Sequence, residues 1–229
     1  MTLWRWTAFL AIAVVGIMLG FGAIPGMTAC GGDDPMFLLE MVRSPAEVEA
    51  LFPDHCRDLH IVAHRQALWL DIGLFVWIYS AFLACGVIAA GRHGDQMAKR
   101  LVLAGIGLIV IAASADQIEN ALLLRILDSL PGSQSTIDTL YLAPRIKFFA
   151  LGIVTALTGL LHIRTAGWRK IAAAVAILGG LWSAMGVVVN HSWVLIGMTL
   201  GWVALAIIAM VNSFVPAPSS GDIPESDPA

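Results

Sequence analysis

Three acids and one base stand where a lipid bilayer would tolerate them least. Asp71, Asp116, Glu119 and Lys147 each fall inside a long apolar run. An ionisable group deep in a membrane helix costs about 2.5–3.5 kcal/mol on insertion scales, so such groups face a bundle interior and have partners. Carboxylates and an ammonium gathered there can take a cation or a proton, grip a polar headgroup, or serve as general base and acid. Helical spacing sorts them. Asp116, Glu119 and Asn120 at i, i+3 and i+4 share one face. Tyr79 lies about two turns from Asp71 and within about 80° of it, so its hydroxyl is expected below that carboxylate. The charges do not balance: three carboxylates face one lysine. The surplus acids need an arginine from the rim, where Arg125 and Arg145 lie, or a proton, or a bound cation.

Histidines at helical spacing can hold a metal, and His60, His64 and His191 are the candidates, with Asp71 or Glu119 to complete the set. The ordered Ser-His-Asp series of polytopic zinc-dependent lipid amidases is absent, and interfacial histidines are more often hydrogen-bonded surface groups. His60, His64 and Asp71 share a face only if their helix begins before the membrane. No phosphate loop, dinucleotide glycine pattern, Gly-x-Ser-x-Gly elbow or Cys-x-x-Cys occurs. The sequence names no cofactor.

The elements that position these residues follow from composition. The chain has 229 residues, 59% of them hydrophobic and only 13% charged. A soluble domain carries about 25% charge, so the missing polar surface implies lipid as the solvent. Six apolar runs, near 6–24, 66–90, 101–124, 142–163, 171–190 and 193–214, match the ~20 helical residues that cross about 30 Å of hydrocarbon. An open strand would leave backbone groups unpaired there. The expected fold is an all-α polytopic membrane bundle of about six transmembrane helices. Its first helix covers 1–26, a loop 27–65, a five-helix bundle 66–215 and a disordered cytoplasmic tail 216–229.

Arg5, Arg92, Lys99, Arg100, Arg164, Arg169 and Lys170 fall on one side, which the positive-inside rule makes cytoplasmic. The 27–65 loop, with seven acids against three arginines, is then outside, and both termini are inside. Span two enters from the outside, span three leaves there and span four enters there. Asp71, Asp116, Glu119, Asn120 and Lys147 therefore fall in one outer layer.

Within the loop, Ser44-Pro45-Ala46-Glu47 reads as a helix start, with serine as cap and proline in the first turn. Val48, Leu51 and Phe52 give it an apolar stripe, so a short amphipathic helix is expected on the outer membrane face. Cys30 and Cys56 share an oxidising compartment, which permits a disulfide and leaves it open. Arg5, the first apolar run and Met27-Thr28-Ala29-Cys30 loosely match a lipoprotein signal. The run exceeds the usual 7–15 apolar residues of a signal peptide, which favours an uncleaved helix. Glycines along the spans (Gly16 and Gly20, Gly152 and Gly159, Gly179 and Gly180, Gly197 and Gly201) suit close helix packing. Dimerisation through the last pair stays open, as does the oligomeric state. No basic stripe is present, so nucleic acid is not an expected partner; the bilayer is, with a cation or lipid as ligand.

Three blocks together carry a resemblance: Leu68-Trp69-Leu70-Asp71 with Phe75 and Tyr79, then Asp116-x-x-Glu119-Asn120 followed by leucines, then Lys147. Over roughly residues 35–165 the chain resembles a group of small bacterial polytopic membrane proteins of unassigned activity. The resemblance implies a bacterial cytoplasmic membrane and a site built from Asp71, Tyr79, Asp116, Glu119, Asn120 and Lys147. The expected function is binding or transport of a cation, a proton or a polar lipid headgroup. An intramembrane lipid-modifying enzyme, with or without a metal, and a non-catalytic complex subunit are the rivals.

Overall fold

The computed structural model describes residues 2–28, 30, 35–92, 94–163 and 167–214, without the side chains of Pro35 and His191. The expected tail at 216–229, the loop acids Asp33 and Asp34, Arg164 and the His191 side chain lie outside the described residues. Among the described residues the chain is helical, with no strand. Six runs are long and apolar enough to cross a membrane: Leu3–Gly22, Arg57–Gly91, Gln96–Asp128, Gln134–His162, Arg169–Val189 and Ser192–Phe214. These make the chain a polytopic helical bundle and an integral membrane protein.

In chain order the helices are α1 (Leu3–Gly22), α2 (Pro35–Glu40), α3 (Pro45–Leu51), α4 (Arg57–Leu70), α5 (Val76–Gly91), α6 (Gln96–Asp128), α7 (Gln134–Leu140), α8 (Ala143–His162), α9 (Arg169–Val189) and α10 (His191–Phe214). A π-helical turn, Asp71–Phe75, joins α4 to α5 without a break. Neighbouring helices close a ring, α1–α5–α6–α8–α9–α10 and back to α1, and α8 also touches α5 and α10 across it. The first turns of α8 therefore meet the interior from every side.

Two corrections concern the end of the bundle that carries residues 23–56, called here the cap end. Helix α4 starts at Arg57, inside the expected 27–65 loop, because it grows outward from the apolar segment and buries His60, Ala63, His64, Ala67 and Leu68. At about 1.5 Å per residue, the 33-residue α6 is about 50 Å long, so it too overshoots the hydrocarbon. Their protruding ends are joined by Arg65, which pairs with Asp128 at 2.7 Å and donates to the Leu127 carbonyl at 3.0 Å.

The second correction is to α3. Ser44 caps it through the Glu47 N–H and Pro45 occupies its first turn, as the sequence implies. Its apolar stripe does not lie on lipid, however. Val48 and Phe52 are fully buried with Leu39, Leu68, Leu123, Ile126, Ile137 and Leu140. Those residues come from α2, α4, α6 and α7, so α2, α3 and α7 form a packed lid over the long helices. The sequence did not suggest α7. Cys30 and Cys56 are disulfide-bonded, with Cα atoms 5.5 Å apart, which ties the loop to the start of α4.

On one side of the ring glycine lets helix backbones meet. A methyl built on Gly152 would meet the Gly180 carbonyl oxygen at 2.6 Å, and one on Gly179 would meet the Gly201 nitrogen at 2.7 Å. The backbones of α8, α9 and α10 touch there, and Gly197 and Gly201 are covered within the chain. Gly16 and Gly20 have nothing within 4 Å of that position, so they do not pack helices inside the protomer.

Candidate functional site

The π-helical turn sets the geometry of the polar layer. Buried residues of the second span advance by threes and fours as far as Asp71, step by five to Val76, and resume at Tyr79, Leu83 and Val87. One inserted residue turns the following helix back by about 100°, which removes most of the offset between Asp71 and Tyr79. Both side chains then face the interior. The turn also loosens the Ile72 carbonyl, which accepts the Gln117 amide at 3.2 Å and the Trp77 indole N–H at 3.1 Å.

At the centre is Lys147 of α8, only 5% exposed. Its Nζ donates to Glu119 Oε1 at 2.7 Å, Asp116 Oδ1 at 3.2 Å and Glu40 Oε2 at 3.3 Å. It lies 4.6 Å from the centre of the Phe148 ring, which packs edge-on against Phe37. Tyr79 donates its hydroxyl to Asp116 Oδ2 at 2.7 Å. The expected partner was Asp71; that carboxylate instead accepts from Asn120 Nδ2 at 2.9 Å. The layer thus gathers all six sequence candidates, Asp71, Tyr79, Asp116, Glu119, Asn120 and Lys147, and every one of them is buried.

It also contains a residue that sequence reasoning missed. Glu40, 8% exposed, reaches Lys147 from α2. In the sequence it counts only among the seven acids of the loop. The available signal was its immediate setting, Met36-Phe37-Leu38-Leu39-Glu40-Met41-Val42, a lone acid in an apolar run. Burial pushes the Glu40 carboxyl up from its ordinary value, the Lys147 ammonium pulls it down, and the Asp116 charge adds to the rise.

The charge surplus is therefore larger than the sequence suggested. Four buried carboxylates stand around one ammonium, and among the described residues no arginine pairs with any of them. Arg145 lies instead against the Tyr141 ring. Three oxygens face no donor among the described residues: Asp71 Oδ1, Asn120 Oδ1 and Glu119 Oε2.

The histidines sit apart from this layer's ion pairs. His60 Nδ1 donates to the Gly26 carbonyl at 3.0 Å and His64 Nδ1 to the His60 carbonyl at 2.9 Å. The Phe52 ring packs on both imidazoles. Among the described residues no group of three or more His, Cys, Asp or Glu side chains is arranged to hold a metal ion.

In comparisons with protein-family models, curated proteins and solved structures, nothing matches this chain. Its function must be argued from the layer itself.

Proposed function

We propose that this membrane protein takes up a proton or a small monovalent cation in the carboxylate layer around Lys147. The observation that carries the reading is the surplus of four buried carboxylates over one ammonium. In low dielectric, uncompensated charges of one sign are held only if something neutralises them. A proton converts one acceptor oxygen into a donor, and a cation takes several oxygens as ligands. Asp71 Oδ1, Asn120 Oδ1 and Glu119 Oε2 are the oxygens in want of either. Asp116 and Glu119 act as the principal acids, Glu40 as a third, Lys147 as their counter-ion, and Tyr79 and Asn120 as the donors that orient them.

The layer opens, in this reading, to the outside of a bacterial cytoplasmic membrane, with both termini in the cytoplasm. Supporting it are the bases at one end of the bundle, the acid-rich loop at the other, and the resemblance to small bacterial polytopic proteins. Melting of the purified protein in sodium, potassium and choline chloride, at acid and alkaline pH, tests the proposal. A cation site raises the melting temperature in alkaline sodium or potassium over choline, and Asp71→Asn or Glu119→Gln abolishes the rise. A proton site raises it on acidification in all three salts. A melting temperature indifferent to both overturns the proposal.

A further inference from the structure

The cap end carries a second feature that the carboxylate layer does not use. A cleft of about 420 Å³ opens between α2–α3 and the adjoining ends of α8, α9 and α10. Its walls are apolar, with Leu38 and Met41 on one side and Val187 and Val189 on the other. Next to that wall Val188 is 87% exposed, so the cleft continues into the lipid-facing surface of a span.

Two guanidiniums line this apolar cleft. Arg43 and Arg145 both pack on the Tyr141 ring, 5.6 and 3.4 Å from its centre. Among the described residues neither is paired with a carboxylate. Arg57 and Arg65 of the same end differ: Arg57 pairs with Glu49 and Asp54, and Arg65 with Asp128. Glu47 is the acid on the cleft wall, and its Oε2 accepts the backbone N–H of Arg43 at 2.7 Å. Arg145 also donates to the Tyr141 carbonyl, yet two planar cations without a carboxylate beside an apolar trough form a complement to one chemistry, a phosphate joined to an acyl chain. Guanidinium binds phosphate through paired, charge-assisted hydrogen bonds, and the trough removes the chain from water.

We propose that this cleft binds an anionic phospholipid, with its phosphate between Arg43 and Arg145 and an acyl chain along the α9–α10 valines. The site is separate from the layer around Lys147, and neither proposal depends on the other. Native mass spectrometry of the intact protein tests it, with phosphatidylglycerol, phosphatidylcholine of the same chains, or inorganic phosphate added. Phosphatidylglycerol should be retained about tenfold more than phosphatidylcholine, because both offer the phosphate but the choline cation is repelled by the two guanidiniums. Arg43→Gln with Arg145→Gln should erase the preference, while Arg57→Gln, which removes a paired arginine, should leave it. If the double variant does not fold, Arg43→Gln alone is read, because that side chain is exposed. Equal retention of the two lipids overturns the proposal, as does a preference that survives the substitutions. Binding of inorganic phosphate that phosphatidylglycerol does not displace also overturns it, in favour of a soluble anion.

Discussion

At its first turns α8 offers Lys147 to three carboxylates. Further along, the same helix offers Gly152 and Gly159 to the backbone of α9. Both devices hold helices together where lipid supplies no hydrophobic drive, but they differ in what they leave over. The glycine seam is complete in itself: backbones meet at contact distance and no charged side chain takes part in the contact. The Lys147 layer is incomplete. It concentrates negative charge, leaves acceptor oxygens without donors, and recruits Glu40 from a loop to add one more acid. A layer whose only duty was to fasten helices would balance its charges. The difference between seam and layer is what supports the proposed uptake of a proton or cation.

The largest expected effect is at Lys147. Lys147→Met strips the ammonium from buried carboxylates, and removing one partner of such a pair costs about 3–5 kcal/mol. The melting temperature at neutral pH should fall sharply. It should recover in part at acid pH and in the double variant Lys147→Met/Glu119→Gln, because either change lowers the stranded charge. A fall that neither condition relieves would make the layer a plain fastening, like the seam.

Gly180→Ala addresses the seam directly. Its methyl would lie against the Gly152 carbonyl and 2.7 Å from the Ala156 nitrogen. Backbone cannot yield as a side-chain tip does, so a loss of about 1–3 kcal/mol is expected, with no dependence on pH. A pH-dependent loss would blur the distinction between the two regions.

Glu40→Gln should cost little, below about 1 kcal/mol, since it removes surplus charge while keeping the side chain's shape. Its mark is on the pH profile. With its folded value raised, Glu40 contributes stability that is fully present below its unfolded value of about 4.3 and is lost as pH rises through the folded value. Wild-type melting temperature should therefore decline from acid to neutral pH, and the Glu40→Gln decline should be shallower. Parallel profiles would remove Glu40 from the layer's titration.

The smallest effect belongs to Gly16→Ala and Gly20→Ala. Nothing lies within 4 Å of either added methyl, so changes should stay within about 0.5 kcal/mol. A larger loss in the melting curve would mean that this face of α1 is covered by something outside the protomer.

The six spans were legible because lipid demands ~20 apolar residues in a row, and the acids and lysine inside them stood out for the same reason. Spacing also gave the shared face of Asp116, Glu119 and Asn120. What it missed depends on tertiary structure. Glu40 sits in a six-residue helix whose burial comes from the lid, not from its own pattern. Tyr79 bonds Asp116 of α6 because the phase of one helix does not say which carboxylate of a neighbouring helix comes nearest. The length of α4 and the existence of α7 follow from packing beyond the hydrocarbon, where no run of apolar residues marks the boundary.

The central claim is that the surplus charge around Lys147 is neutralised by a bound proton or cation. Infrared difference spectroscopy of the purified protein across acid and neutral pH, paired with analysis of retained sodium and potassium, measures this directly. The account predicts either a protonated-carboxyl band near neutral pH that Glu119→Gln or Asp71→Asn removes, or a stoichiometric monovalent cation lost in the same variants. Every carboxylate ionised at pH 6 with no cation retained would contradict it.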